Sequence, residues 1–96
     1  MKKETSHYWN YRIIRRRNEH PIEDLVPEFY YEIHEVYYKK NKIDLWTATS
    51  MTPYGESRED LIRGLQMMLH DAKKYPVLEE QKNKHGKDIL VEVLEG

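Results

Sequence analysis

The residues best placed to do chemistry lie in one short run, Tyr30 to Lys40, YYEIHEVYYKK. It holds Glu32, His34 and Glu35, the residue types that bind divalent metals or move protons, among four tyrosines. On a regular strand, however, Glu32 and His34 point one way and Glu35 the other. The sequence around them, IHEV, is not HExxH, which needs a helix to bring two histidines onto one face. His7, His20, His70 and His85 are scattered along the chain. No metal site is therefore expected at Glu32, His34 and Glu35, and no cofactor. Nucleophilic catalysis has no better footing. Ser50 and Ser57 belong to neither a GxSxG elbow nor an SxxK pair, and Gly55 and Gly86 stand alone rather than in a phosphate-cradling loop. The expectation is a protein without enzymatic activity.

A second group of residues has a binding character. Arg15, Arg16 and Arg17 follow one another, Arg12 lies just before them, and Tyr8, Tyr30, Tyr37 and Tyr38 fall within reach if the two segments pair. Arginine and tyrosine on an open sheet stack bases and pair phosphates, but they are also enriched at protein-binding hot spots. Acids in the same region, Glu19, Glu23, Asp24 and Glu32, favour a protein partner over nucleic acid. The candidate interaction face is Arg12, Arg15, Arg16, Arg17, Tyr30, Glu32 and His34. A protein partner is the first expectation, nucleic acid is the weaker alternative, and a homo-oligomer remains open. The Met67–Met68 pair reads as core filling rather than a binding groove.

Composition sets the frame for these groups. The chain has 96 residues, room for one domain spanning 1–96 with a core over about 8–94 and a flexible 1–6. Its 16 Lys plus Arg nearly balance 17 Asp plus Glu, so any attraction to phosphates has to come from a local patch. With 39% hydrophobic residues the chain is globular rather than disordered. It contains no cysteine, which excludes disulfides and thiol chemistry and fits a reducing compartment. No signal peptide is read at the N-terminus, and no apolar run approaches the roughly 20 residues of a membrane helix. The expected address is cytoplasmic, with no membrane partner.

The elements that position the candidates follow from periodicity. Tyr8 to Arg16 alternates as a first strand, with Trp9, Tyr11 and Ile13 on one face and Asn10 and Arg12 on the other. Arg17 to Pro27 is a loop, with room for one helical turn around Glu23 to Val26. Phe29 to Tyr38 is a second strand. Its apolar phase slips between Ile33 and Val36, which a bulge near His34–Glu35 would repair. Tyr31 is expected to follow Phe29 and Ile33 into the core, leaving Tyr30, Glu32 and His34 on the open face. A hairpin turn at Lys39–Lys42, with Asn41 left-handed, leads to a third strand over Ile43 to Thr49. Ser57 is an N-cap with Asp60 three residues on, opening a helix from Arg58 to Tyr75 that Pro76 stops. Its stripe Leu61, Leu65, Met68, Leu69 and Ala72 is expected on the sheet. Val77–Leu78 can return to the sheet, EEQKNKHGKD reads as a polar loop, and ILVEVLE as a closing strand. The fold class read from this order is α+β, an antiparallel sheet of three to four strands with one helix packed on one face, β-β-β-α-β.

The segments YEIHEVYY, WT, PYGESREDL and YPVLE together resemble a group of short bacterial proteins. More distantly, GESREDL resembles the helix start of HicB-like antitoxin N-terminal domains. That resemblance implies a three-stranded antiparallel sheet followed by a helix and a further strand, and an antitoxin-like role in binding a partner protein. The D-L-P-G-C-type segment usual before that helix has no counterpart here, and the resemblance brings no catalytic residues.

Overall fold

The computed structural model describes residues 7–22 and 25–95. The flexible segment expected at 1–6 lies outside the described residues, as does part of the helical turn expected around Glu23. Six elements follow one another: β1 (His7–Arg17), β2 (Phe29–Lys39), β3 (Lys42–Trp46), α1 (Arg58–Lys74), β4 (Leu78–Lys82) and β5 (Asp88–Glu92). The five strands form one sheet in the order β3-β2-β1-β4-β5.

This corrects the expected fold class. The sheet has five strands rather than three or four, and it is mixed: β1 pairs antiparallel with β2 but parallel with β4. β4, LEEQK, begins at Leu78, where a return to the sheet was expected, and runs on into EEQK, which was read as polar loop; it pairs antiparallel with β5 over Leu78↔Glu92 to Lys82↔Asp88. Its charged alternation hid it, because strand propensity in such a segment comes from its neighbours rather than from its own side chains. The sheet also curls. Its edge strands β3 and β5 face each other across a groove of about 350 Å³ lined by Ile43, Trp46, Ile89 and Leu90, so it rolls towards a barrel without closing.

Curling decides which face is the core. Ile14, Val36, Tyr38 and Leu78 are buried on the concave side, with Ile43, Trp46 and Leu90 packed against them. The β1 and β2 positions on that side are Asn10, Arg12, Ile14, His34, Val36 and Tyr38, the even-numbered set. The sequence pattern favoured the odd-numbered set. Trp9 is instead 41% exposed and Tyr31 52% exposed, which corrects the expectation that Tyr31 enters the core.

The turns are built as their residues dictate. Lys40 and Asn41 both take positive φ, 53° and 64°, the pair of left-handed residues a two-residue hairpin turn needs. The irregularity in the sheet falls between β2 and β3, where Tyr37 pairs with Leu45 and Tyr38 with Ile43, leaving Asp44 extra. β1 and β2 pair without interruption through His34 and Glu35, so the bulge lies on β3 and not where the apolar phase slipped. In the β4–β5 loop the Asn83 side chain accepts from the backbone N–H groups of His85 (2.8 Å) and Lys87 (3.0 Å), and Gly86 supplies φ 79°.

Helix α1 begins as expected. The Asp60 N–H donates to Ser57 Oγ at 3.0 Å, and Asp60 Oδ2 accepts from the Glu56 N–H at 3.1 Å, two free donors satisfied reciprocally. Glu59 and Asp60 in the first turn and Lys73 and Lys74 in the last complement the helix dipole. Its docking differs from expectation. α1 packs along β1, presenting Leu61, Gly64, Met68, Asp71 and Ala72, all at least half-buried. Leu65 and Leu69, read as core, remain 44% and 59% exposed. The anchor is polar: Asp71 Oδ2 accepts the backbone N–H of Tyr11 at 3.0 Å. β4 pairs with β1 only at Ile14 and Arg15, so the helix carboxylate takes a strand donor that β4 does not reach.

Candidate interaction site

β1 and β2 carry every residue of the expected interaction face, and their continuous register places each one. Even-numbered positions turn inward. Arg12 is 4% exposed and His34 is fully buried, so these two are interior residues and not part of an accessible face. Arg12 donates through Nη1 to the Tyr38 hydroxyl (2.8 Å) and through Nη2 to the Pro76 carbonyl (2.8 Å). The Tyr38 hydroxyl in turn donates to Asn10 Oδ1 (3.0 Å). The Arg12 guanidinium lies 5.3 Å from the Tyr75 ring centre and 3.7 Å from Glu92. One buried side chain thus ties β1 and β2 to the segment after α1 and to β5.

The second interior group is the one that raised the metal question. His34 Nε2 lies 2.8 Å from Glu32 Oε1, and its Nδ1 lies 3.1 Å from the Thr47 hydroxyl and 2.9 Å from the Thr47 carbonyl. A carboxylate only accepts, so in this contact Nε2–H donates to Glu32. Glu32 also accepts from Arg16 Nε at 3.3 Å, and Arg16 reaches on to Glu80 of β4. The His34 hydrogen bond, then the Arg16 cation, hold the Glu32 carboxyl below its usual value against the opposing effect of burial. Glu35 faces the other side of β2, where it accepts from the Tyr37 hydroxyl. Among the described residues no three His, Asp or Glu side chains converge as metal ligands would.

Odd-numbered positions turn outward. Arg15 donates to Glu79 (3.3 Å) and Glu95 (3.1 Å), and Arg17 pairs with Glu28. Both guanidinium groups also lie over the Phe29 ring, at 4.1 and 4.6 Å from its centre. The Tyr31 hydroxyl donates to the same Glu95 at 2.9 Å. At the other end of this face Trp9 sits directly across from Tyr37. The Trp9 ring is 6.3 Å from Tyr37 and meets Tyr11 edge-on at 5.1 Å. Burial and the charges of Glu35 and Asp71 raise the Tyr11 pKa, so its hydroxyl stays protonated well above neutral pH.

Of the seven expected residues, the structure leaves Arg17 and Tyr30 exposed, half-buries Arg15, Arg16 and Glu32, and buries Arg12 and His34. It also exposes Tyr37, named with the arginine cluster but not counted in the face, and Trp9, which the sequence pattern had placed on the core face. A signal for them was present, since aromatic residues occur at both parities of β1 and β2, and one sheet face cannot bury them all. Comparison with protein-family models, curated proteins and solved structures finds no match for the chain. Among the described residues no helix is long and apolar enough to cross a membrane.

Proposed function

We propose that the chain is a non-enzymatic, cytoplasmic protein-binding domain whose partner docks on the outward face of β1 and β2, centred on Trp9 and Tyr37. The observation that carries this reading is the pairing of the arginine cluster. Arg15, Arg16 and Arg17 each engage a carboxylate, so their charge is already balanced within the fold. Phosphates would have to displace those acids, which works against nucleic-acid binding. The exposed Trp9–Tyr37 pair offers instead a large amphipathic contact held rigidly on paired strands, the character of a protein-binding hot spot. The resemblance of GESREDL to HicB-like antitoxin domains supports a narrower form of the reading, in which the partner is a small toxin-like protein.

The test combines Trp9→Ala and Tyr37→Ala. Both side chains lie on the outward face, so the double variant is expected to keep the circular-dichroism spectrum of the parent while losing the partner protein that the parent retains in affinity capture. Fluorescence anisotropy with single-stranded RNA and DNA supplies the opposing outcome. Tight binding that weakens steeply with salt and is abolished by Arg16→Ala and Arg17→Ala would replace this reading with nucleic-acid recognition.

A further inference from the structure

Helix α1 buries one flank against its own domain and leaves an apolar stripe uncovered beside it. Ile62, Leu65 and Leu69 are 42, 44 and 59% exposed. With Ala72, half-buried at the border of the β1 contact, they recur at the alternating three- and four-residue steps of a coiled-coil seam, running from Ile62 through Leu65 and Leu69 to Ala72. The flank on one side of that seam, Leu61 and Met68, is half-buried by the protein's own fold. The flank on the other side is Glu59, Gln66 and Lys73, all exposed. The helix's own ion pairs join Asp60 to Arg63 and His70 to Asp71, and do not use Glu59 or Lys73.

That exposed flank complements itself. An antiparallel two-helix contact brings like flanks of the two helices together, acidic end against basic end. Across a two-fold axis near Gln66 and Met67, Glu59 of one chain meets Lys73 of the other, and Gln66 meets its own copy. The same axis sets Leu65 against the second chain's Leu69 and Ile62 against its Ala72, closing the apolar seam in four layers. A parallel arrangement would instead set this flank against the second chain's Leu61 and Met68, leaving Glu59 and Lys73 without charge partners.

We propose that this protein forms a homodimer in which α1 packs antiparallel on α1 of a second copy, through Ile62, Leu65, Leu69 and Ala72. The contact is isologous: each chain contributes the same patch, and the two-fold axis makes both charge pairs at once. It uses side chains of α1, whereas the Trp9–Tyr37 pair lies on β1 and β2. Two heptads of seam make a modest interface, so the dimer dissociates on dilution.

The test is sedimentation equilibrium on the full chain over a range of concentrations, with circular dichroism as the folding control. The parent is expected to weigh twice the chain mass at high concentration and to dissociate on dilution. Leu65→Glu is expected to remain folded, because Leu65 lies outside the buried core, and to be monomeric throughout. Charge exchange fixes the orientation. Glu59→Lys alone and Lys73→Glu alone should each raise the dissociation constant roughly tenfold, since each turns two attractive pairs into repulsive ones. The two together should restore the parent value. A parent that is monomeric at every concentration overturns the proposal, whatever else binds the stripe. So does a dimer that Leu65→Glu leaves intact, or a double exchange that is no tighter than the singles.

Discussion

The residues that looked most chemical hold the fold together. Glu32 is placed by His34 and Arg16, and its carboxyl titrates below the usual 4.5. A depressed carboxyl stabilises the fold at pH above its unfolded value, and that contribution is lost as pH falls through its folded value. Stability followed by urea unfolding should therefore decline as pH falls below about 4.5, and Glu32→Gln should flatten that part of the profile. An unchanged acid limb in the variant would show that other carboxylates dominate it. Arg12 makes the complementary case. Truncation to alanine leaves the Tyr38 hydroxyl without a donor and strands the Pro76 carbonyl, and should cost about 2–3 kcal/mol by denaturant unfolding. Arg12→Lys should rescue little of this, because a single ammonium cannot reproduce the planar fork that reaches both acceptors.

At the scale of the elements, α1 depends on its two ends more than on its long apolar stripe. Ser57→Ala removes the acceptor for the Asp60 N–H and should cost about 0.5–2 kcal/mol without altering binding. Gly55 matters for a different reason. A Cβ there would lie 2.7 Å from Leu61 Cα, in the first turn of α1, so no flexible atom can give way. Gly55→Ala should push the helix start outward and destabilise the domain more than Ser57→Ala does, which thermal unfolding of the two variants compares directly. Leu65→Ala, by contrast, removes a side chain outside the core and should cost less in the monomer than the roughly 2–5 kcal/mol of a buried leucine.

Over the whole molecule, stability is unevenly distributed. β1 and β2 pair along all eleven residues of each strand, whereas β4 joins β1 only through Ile14↔Leu78 and Arg15↔Glu79. The β4–β5 hairpin is therefore held by Leu78, by Arg12 and by the Arg15 and Arg16 ion pairs. Native-state hydrogen exchange should show its amides opening well before those of β1 and β2. Leu78→Ala should widen the gap by exposing the hairpin alone at low denaturant. Simultaneous exchange of all five strands would mean that the sheet opens as one unit.

Local chemistry carried much of this fold in plain view. Lys40–Asn41 specifies a tight turn, Ser57 with Asp60 starts a helix that Pro76 ends, and the alternation in β1 and β2 marks two long strands, because each of these depends on residues close together in the chain. Two matters lay beyond that reach. Strand β4 is a polar segment that becomes a strand only where Arg15 and Arg16 meet Glu79 and Glu80 from more than sixty positions away. The choice of core face also lay with the tertiary structure. Hydropathy favoured Trp9, Tyr11 and Ile13, yet the curled sheet buries Asn10, Arg12 and His34. A buried polar side chain is expensive only while it lacks partners. Tyr38, Pro76, Glu32 and Thr47 become partners once separate strands and the end of the helix are brought together.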